Sequence, residues 1–373
     1  MKTVAIVGGG LTGLTVAYRR ARAGDRVTLF EASSRLGGQL WTAREDGWIV
    51  ELGAEGFVAR SEAVPRLAHD LAMADPNASG ERDRGVRWSM LLDQSAKTSY
   101  RFEDGKLRAL APGEAAEALR FQVAASDKGA GIRTFVGGMQ TLADSLVAAL
   151  QNEHRDEVEL RTGREVHTLE GDGARVRVDG EVFDAVVIAT SSAAAGRLLE
   201  PLFRANEPGG LDALGHLARA ETLSSVTVSC GYAAGQIAHP LDGTGFVVAE
   251  PFEGFRACTF TSSKFGHRVP DGFVSLRAFF RPTDEELATD TPWADRAARV
   301  LAQVLPIDGE PLRTWVSRWS NALPVFGPEH REAVARVEAM IAPWSIHLAG
   351  SAFHGSGIDA AVRSAETVAA RVG

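Results

Sequence analysis

The chain has 373 residues, with 40 lysines and arginines against 48 aspartates and glutamates, a formal net charge of −8, and 45% hydrophobic and 24% charged residues. This balance matches ordinary globular usage and excludes a disordered, fibrous or coiled-coil chain, and its acidic surplus removes the broad basic surface that nucleic acid binding requires. The 39 glycines, against a usual ~7% of residues, imply many places where backbone turns sharply or approaches a ligand closely.

Thr3 to Val7 read as a short apolar strand, followed by Gly8-Gly9-Gly10-Leu11-Thr12-Gly13 and a helical pattern through Leu14, Ala17 and Tyr18. This is G-x-G-x-x-G in its strand–turn–helix context. In that motif Gly8 makes the tight turn, Gly10 lets the backbone meet a pyrophosphate and Gly13 allows close helix–strand packing. The helix N-terminus then offers N–H groups and partial positive charge to phosphate. Arg26 to Phe30 form a second strand ending in Glu31, about 20 residues beyond the glycines, where a carboxylate meets a ribose hydroxyl. Ser34-Arg35-Leu36-Gly37-Gly38 follows directly, and Glu51-Leu52-Gly53-Ala54 comes after an apparent hairpin. Glycine backbone continuing past the ribose carboxylate suits a long, flavin-bearing dinucleotide better than NAD.

Ala72 to Gly85 and Ala205 to Leu214 are rich in loop residues or charge and are expected to be loops. Glu165 to Leu169, Ala174 to Val178 and Val182 to Ala189, separated by Gly171-Asp172-Gly173 and Asp179-Gly180, predict a three-strand meander. Ser224 to Tyr232 and Phe273 to Phe280 read as strands, with turns at Asp242-Gly243 and Asp271-Gly272. Asp284 to Leu305 reads as one amphipathic helix with Leu287, Ala294, Ala298 and Leu301 on its apolar side. Ile346 to Gly350 read as a buried strand, Ser351 to Ser356 as a loop, and Gly357-Ile358 as the opening of a helix packed through Ile358, Ala361, Val362 and Ala365. Such an N-terminus can stabilise negative charge on a reduced flavin ring. Cys230 and Cys258 are isolated and the nine histidines are scattered, so no metal site is expected. Sparse thiols fit a reducing cytoplasm. There is no leader pattern at the N-terminus and no apolar run near the ~18–20 residues of a membrane span, so a cytoplasmic protein without an integral span is expected.

VGGGLTGL, FEASSRLGG, ELGAEGFVAR, GGMQTLADSL, FDAVVIATSS, CTFTSSKFGHRVPDG, RWSNALPVFGPEH and LAGSAFHGSGI together resemble the FAD-dependent amine oxidase superfamily. Within it they are most similar to the protoporphyrinogen and coproporphyrinogen oxidases; the TSSK, WSNALPVF and AGSAFHGSGI segments point to that branch. The resemblance implies an α/β fold. A Rossmann-like, glutathione-reductase-like FAD-binding domain would be assembled from residues 1–60, 134–195 and 336–373, with a discontinuous α+β substrate domain from 61–133 and 196–335. The family's helical cap, which roofs the substrate and carries membrane association, would be shortened to a remnant near 108–136. That shortening implies an open flavin face, or one covered by a second copy or a partner subunit.

FAD would be held non-covalently, since neither cysteine falls in the C-terminal flavin loop. The resemblance extends the contacts of Gly8, Gly10, Gly13, Glu31, Gly37, Gly38 and Gly53 to Leu11, Thr12, Ala32, Arg35 and Ala54. It adds Val166, Ala189, Thr190 and Trp319 from mid-chain, and Gly350, Ser351, Gly357 and Ile358 near the end. Ser191 stands where the family usually has proline. Val228 stands about where amine-oxidising members carry lysine, and the Phe353-His354-Gly355 loop lacks the tyrosine of their aromatic cage. Lys97 aligns with an arginine that pairs with a substrate propionate; lysine keeps the charge and loses the bidentate fork. Phe353 and His354 align with residues beside flavin and substrate, His354 as a candidate proton relay. The implied activity is removal of hydride equivalents from a reduced, carboxylate-bearing tetrapyrrole, with O2 or another acceptor taking the electrons. Oxidation of an amine, desaturation of a small molecule, and a non-catalytic flavoprotein subunit are the alternatives.

Overall fold

Short runs of Val, Ala, Ile and Leu bounded by glycine favour strands buried on both faces, and five of them build the central layer. The computed structural model describes residues 1–59, 61–71, 90–119 and 129–373. In it Val158–Thr162, Arg26–Glu31, Thr3–Val7, Ala185–Ile188 and Ile346–Leu348 lie side by side in that order, each neighbouring pair parallel. The order reverses beside Thr3–Val7, the switch point where doubly wound sheets open a crevice beyond their carboxyl ends.

Strand alternation divides the core between the two faces of this sheet. Val4 and Ile6 pack with the helices Leu11–Arg22, Ala63–Asp70, Gln140–Asn152 and Ile358–Val372. Ala5 and Val7 pack with Ser192–Asn206, Leu211–Ala218 and Pro328–Ile341, and with the three-strand meander. The expected boundaries at 195/196 and 335/336 therefore fall inside helices whose apolar faces pack on the parallel sheet. Ala63–Asp70, placed by sequence in the other domain, joins this layer as well.

The second layer is a seven-stranded sheet in the order Arg313–Pro324, Thr222–Ala233, Phe273–Phe280, Phe255–Phe260, Gly245–Phe252, Ser99–Glu103 and Lys106–Ala109. Its strands are antiparallel except where Gly245–Val248 runs parallel to Ser99–Phe102. One face closes on the helix Trp293–Val304 through Val226, Val228, Leu276 and Phe280. The other face turns toward the first domain.

Several elements differ from the sequence reading for identifiable reasons. Asp284 to Leu305 is two helices, Asp284–Ala288 and Trp293–Val304. Pro292 disfavours helix at the preceding residue and restarts the phase, so Trp293, Ala297, Val300 and Leu301 form the buried side. Ala205 to Leu214 is mostly helical, taking in the end of Ser192–Asn206, the short turn of helix Pro208–Gly210 and the start of Leu211–Ala218; Ser191 caps the first of these by accepting from Ala194 N at 3.3 Å. That bond gives serine a role at the position where proline is usual in the family. The meander consists of Leu169–Asp172, Arg175–Val178 and Glu181–Phe183. It ends at Asp184, whose carboxylate accepts from Thr3 N at 2.8 Å and Thr3 Oγ1 at 2.9 Å and steers Ala185–Ile188 into the parallel sheet. The Ala72 to Gly85 segment lies outside the described residues. So does part of the cap remnant, which otherwise contains the short helix Glu114–Ala118 and the strand Ile132–Phe135.

Among the described residues no helix is long and apolar enough to cross a membrane. Trp293 is 1% exposed and its indole N–H has no partner. Trp293→Ala is expected to cost about 3–5 kcal/mol through the cavity it leaves. Trp293→Phe should cost clearly less, because it removes the unpaired donor with the volume; urea midpoints at constant slope measure both.

Candidate cofactor cradle and active site

The turn after Thr3–Val7 is built for glycine by its neighbours. Gly8 has φ +109°, and a Cβ there would lie 2.6 Å from Ala189 O; a Cβ on Gly13 would lie 1.9 Å from Gly8 O. Gly10 is different: around its missing Cβ the nearest atom is Gly38 Cα at 3.9 Å, so its outer side is open. Gly10 caps Leu11–Arg22 with no side-chain bond, so the helix meets the crevice with no side chain covering its N-terminus.

Glu31 closes this turn from the second strand. Its Oε2 accepts from Gly9 N at 2.7 Å and its Oε1 from Ser33 N at 2.8 Å and Ser33 Oγ at 2.7 Å. The next loop is threaded against it, Gly37 N donating to Gly9 O at 2.8 Å. Arg35 organises that loop by donating from Nη1 to Leu36 O and Leu40 O, both at 3.0 Å, and from Nη2 to Gly38 O, while stacking on Trp41. Ala32 is exposed beside Glu31, and Val166 is buried near the end of the same strand, where Arg164 N donates to Glu31 O at 2.8 Å. Thr190 reaches Gly8 through its methyl.

The C-terminal unit meets the same turn. Gly350 has φ +108°, and a Cβ on it would lie 2.9 Å from Thr12 Oγ1; its N–H donates to Ser364 Oγ at 2.8 Å. Ser351 continues this loop, and Gly357 caps Ile358–Val372, again without a side-chain bond. Two parallel strands thus each deliver a bare helix N-terminus to the carboxyl edge of the sheet. Glycine-lined and anion-seeking, this crevice fits the diphosphate and ribose of a dinucleotide.

The second domain grips the far end of the crevice. Leu52 O accepts from Trp319 Nε1 at 2.7 Å and from Ser317 Oγ, and Gly53 O accepts from Arg277 Nη2 at 2.7 Å. Ala54 N donates to Gln39 O at 3.1 Å, and Gln39 Nε2 to Ala322 O at 2.8 Å. Trp41 and Trp319 meet edge to face. Around this grip lies a charged cluster that sequence reasoning missed. Lys264 Nζ sits 2.6 Å from Glu55 Oε2, Arg268 Nη1 sits 3.2 Å from Glu51 Oε1, and Arg277 is buried above them. Burial pushes the Glu55 carboxyl up, but Lys264, Arg277 and Arg268 outweigh it and hold it below the usual carboxylate range. Burial dominates at Glu51 and raises it. The available signals were Lys264, one of five lysines in the chain, and Glu55, two residues past Gly53.

The candidate catalytic residues are placed less centrally. The Phe353 ring is 3% exposed within the core formed with Pro328–Ile341. His354 Nε2 lies 3.1 Å from Glu338 Oε1 and 3.2 Å from Leu348 O. The hydrogen bond to Glu338 raises its pKa. Both side chains thus serve the helix Pro328–Ile341. Lys97 is exposed just before the strand Ser99–Glu103, on a segment anchored by Ser95 N donating to Lys264 O at 2.8 Å. Val228 points into the core of the second domain, and its neighbour Thr227 faces Arg277 at 3.4 Å. The missing lysine at 228 therefore says nothing about the site. Among the described residues no group of three His, Cys, Asp or Glu could hold a metal ion.

Comparison with known proteins agrees with this architecture. The family model for flavin containing amine oxidoreductase matches residues 11–84 and 76–373. Coproporphyrinogen III oxidase of Bacillus subtilis (strain 168) is 25% identical, covering 96% of this chain and 95% of that protein. The alignment runs over 457 positions against 373 residues, so the Bacillus protein carries residues that this chain lacks. Coproporphyrinogen III oxidase of Mycobacterium tuberculosis (strain ATCC 25618 / H37Rv) is 27% identical, covering 98% and 96%. A solved structure from Exiguobacterium sp. 255-15, provisionally named protoporphyrinogen oxidase, has the same fold, with a TM-score of 0.77 at 22% identity over 100% of this chain and 98% of that one. The chain belongs to the flavin-containing amine oxidoreductase family, and it is an oxidoreductase with FAD as its cofactor.

Glu31→Ala removes three hydrogen bonds that shape the glycine turn as well as the carboxylate itself. FAD affinity should fall by on the order of a hundredfold, as for losing one or two charge-assisted bonds, seen as flavin lost on gel filtration. The His354–Glu338 pair predicts a pH signature. A histidine pKa raised on folding contributes stability that is full below its unfolded value, near 6.5, and is lost as pH rises through the folded value. Glu338→Gln should therefore destabilise by about 1 kcal/mol at pH 6 and hardly at all at pH 9, measured by denaturant titration at both pH values.

Proposed function

We propose that this flavoenzyme is a porphyrinogen oxidase, removing hydride equivalents from a reduced, carboxylate-bearing tetrapyrrole of the coproporphyrinogen class and passing electrons to O2 or another acceptor. The observation that carries this reading is the match along nearly the whole chain to coproporphyrinogen III oxidases. When bound, FAD supplies the two-electron acceptor, and the protein's contribution is placement and electrostatics. In this reading the dinucleotide lies non-covalently along the glycine turn, Glu31, Arg35, Gly37, Gly38 and the Gly350–Ile358 loop, with the flavin ring reaching Gly53, Ala54 and Trp319. Cys230 and Cys258 are buried, burial pushes the Cys230 thiol up to about 12, and neither reaches that loop, which supports non-covalent binding. Unpaired thiols also support a cytoplasmic location.

Lys97 is the residue proposed to meet a substrate carboxylate, as a point charge whose exposure leaves it free to turn toward one. His354 bears on the reaction by holding the Gly350–Ile358 loop to Glu338, with a proton relay as its second proposed role. The short cap supports a substrate face open on this chain and completed by a second copy or a partner subunit. Anaerobic mixing of the purified yellow protein with coproporphyrinogen or protoporphyrinogen should bleach the flavin band. Bleaching by an amine panel alone would move the activity to amine oxidation, and bleaching by neither would make the chain a non-catalytic flavoprotein.

A further inference from the structure

The second domain turns a polar, buried sheet face to the Leu52–Ala54 loop: Thr227, Ser275, Arg277 and Ser317 are all enclosed. An arginine so placed carries a desolvation penalty of several kcal/mol that good geometry must offset. Arg277 has only part of that offset. Nη2 reaches Gly53 O at 2.7 Å, the guanidinium stacks on Phe279, and Nε has no partner. Two ion pairs flank it, Lys264–Glu55 and Arg268–Glu51, and Glu55 Oε1 is likewise buried without a partner. Three cations face two carboxylates, so a formal positive charge is left over among buried groups. Packing alone does not explain such a set, since hydrophobic replacements of similar volume are often as stable or more so.

We propose that this cluster is the electrostatic element that favours the negatively charged, reduced form of the bound flavin, with Arg277 acting as a positioning residue through the Gly53 carbonyl. The inference rests on the reading that the flavin ring lies along Gly53 and Ala54. Within a few ångströms of that loop one uncompensated charge acts at an effective dielectric near 20 rather than 80, where it is worth about tenfold or more in an equilibrium. The two partners of one ion pair then have opposite effects. Removing the Glu55 charge adds to the positive surplus, and removing the Lys264 charge cancels it.

The test uses the FAD-loaded protein, with the flavin midpoint potential measured anaerobically against a reference dye and sulfite as a probe of positive charge at the ring. Glu55→Gln should shift the potential positive and tighten sulfite binding by on the order of tenfold. Lys264→Met and Arg277→Met should shift both the opposite way, and Arg277→Lys should restore the wild-type potential. A purely structural role would move these variants together or leave the flavin unchanged. Shifts of the same sign in Glu55→Gln and Lys264→Met, or FAD bound with unmoved values in both, overturn the inference while leaving the cofactor placement intact. Where Arg277→Met does not fold, the isosteric Glu55→Gln decides. A wild-type protein that never takes up FAD overturns the placement and the inference together.

Discussion

Two helices begin at the carboxyl edge of the parallel sheet with no capping side chain on their first N–H groups. The bare ends of Leu11–Arg22 and Ile358–Val372 are a standing cost, and much of the surrounding structure keeps them open. Gly8 and Gly13 bring strand and helix into close contact, and Gly10, the cap itself, carries no side chain to fill the space beside it. Glu31 spends its oxygens on Gly9 and Ser33, bracing the turn from outside. Thr12 is met by a glycine, Gly350, so the second helix approaches the first without plugging the space between them. An anion resolves all of this at once, and a family defined by a flavin dinucleotide is one that brings it.

The second constraint is charge burial at the seam between the domains. Ser317, Trp319 and Arg277 hold two successive carbonyls of the Leu52–Gly53 loop, so the loop cannot shift without moving the sheet behind it. The parallel-sheet layer and the seven-stranded sheet are thereby coupled through main chain as well as side-chain packing. The exposed aromatic edge of Trp41, 41% accessible, sits on the same seam beside Trp319.

What the sequence disclosed was what acts within a short stretch. The glycine turn, Glu31 and the C-terminal strand–loop–helix depend on local backbone geometry, and their spacing is their function. What it concealed depends on parity and on long-range assembly. Val228 lies in the right segment, but one position along a strand reverses the face a side chain presents, and Phe353 lies in a turn that folds its ring into the core. The seam cluster draws Glu51, Glu55, Lys264, Arg268 and Arg277 from segments separated by some 200 residues, so no window contains it. The single helix read across Asp284 to Leu305 failed at Pro292 because a continuous apolar period conceals a change of phase.

The order of strands in the parallel sheet also governs how the crevice is completed. Its outer strand, Ile346–Leu348, pairs with Ala185–Ile188, the helix Ile358–Val372 packs against the helix Leu11–Arg22, and Lys2 Nζ donates to Val372 O at 2.7 Å. The glycine turn lacks half its walls until Gly350 and the helix that follows it, some 340 residues further along the chain, have folded against it. The crevice is therefore complete only when two segments far apart in the sequence have come together, and a lesion in either should cost cofactor retention as much as a lesion in the other.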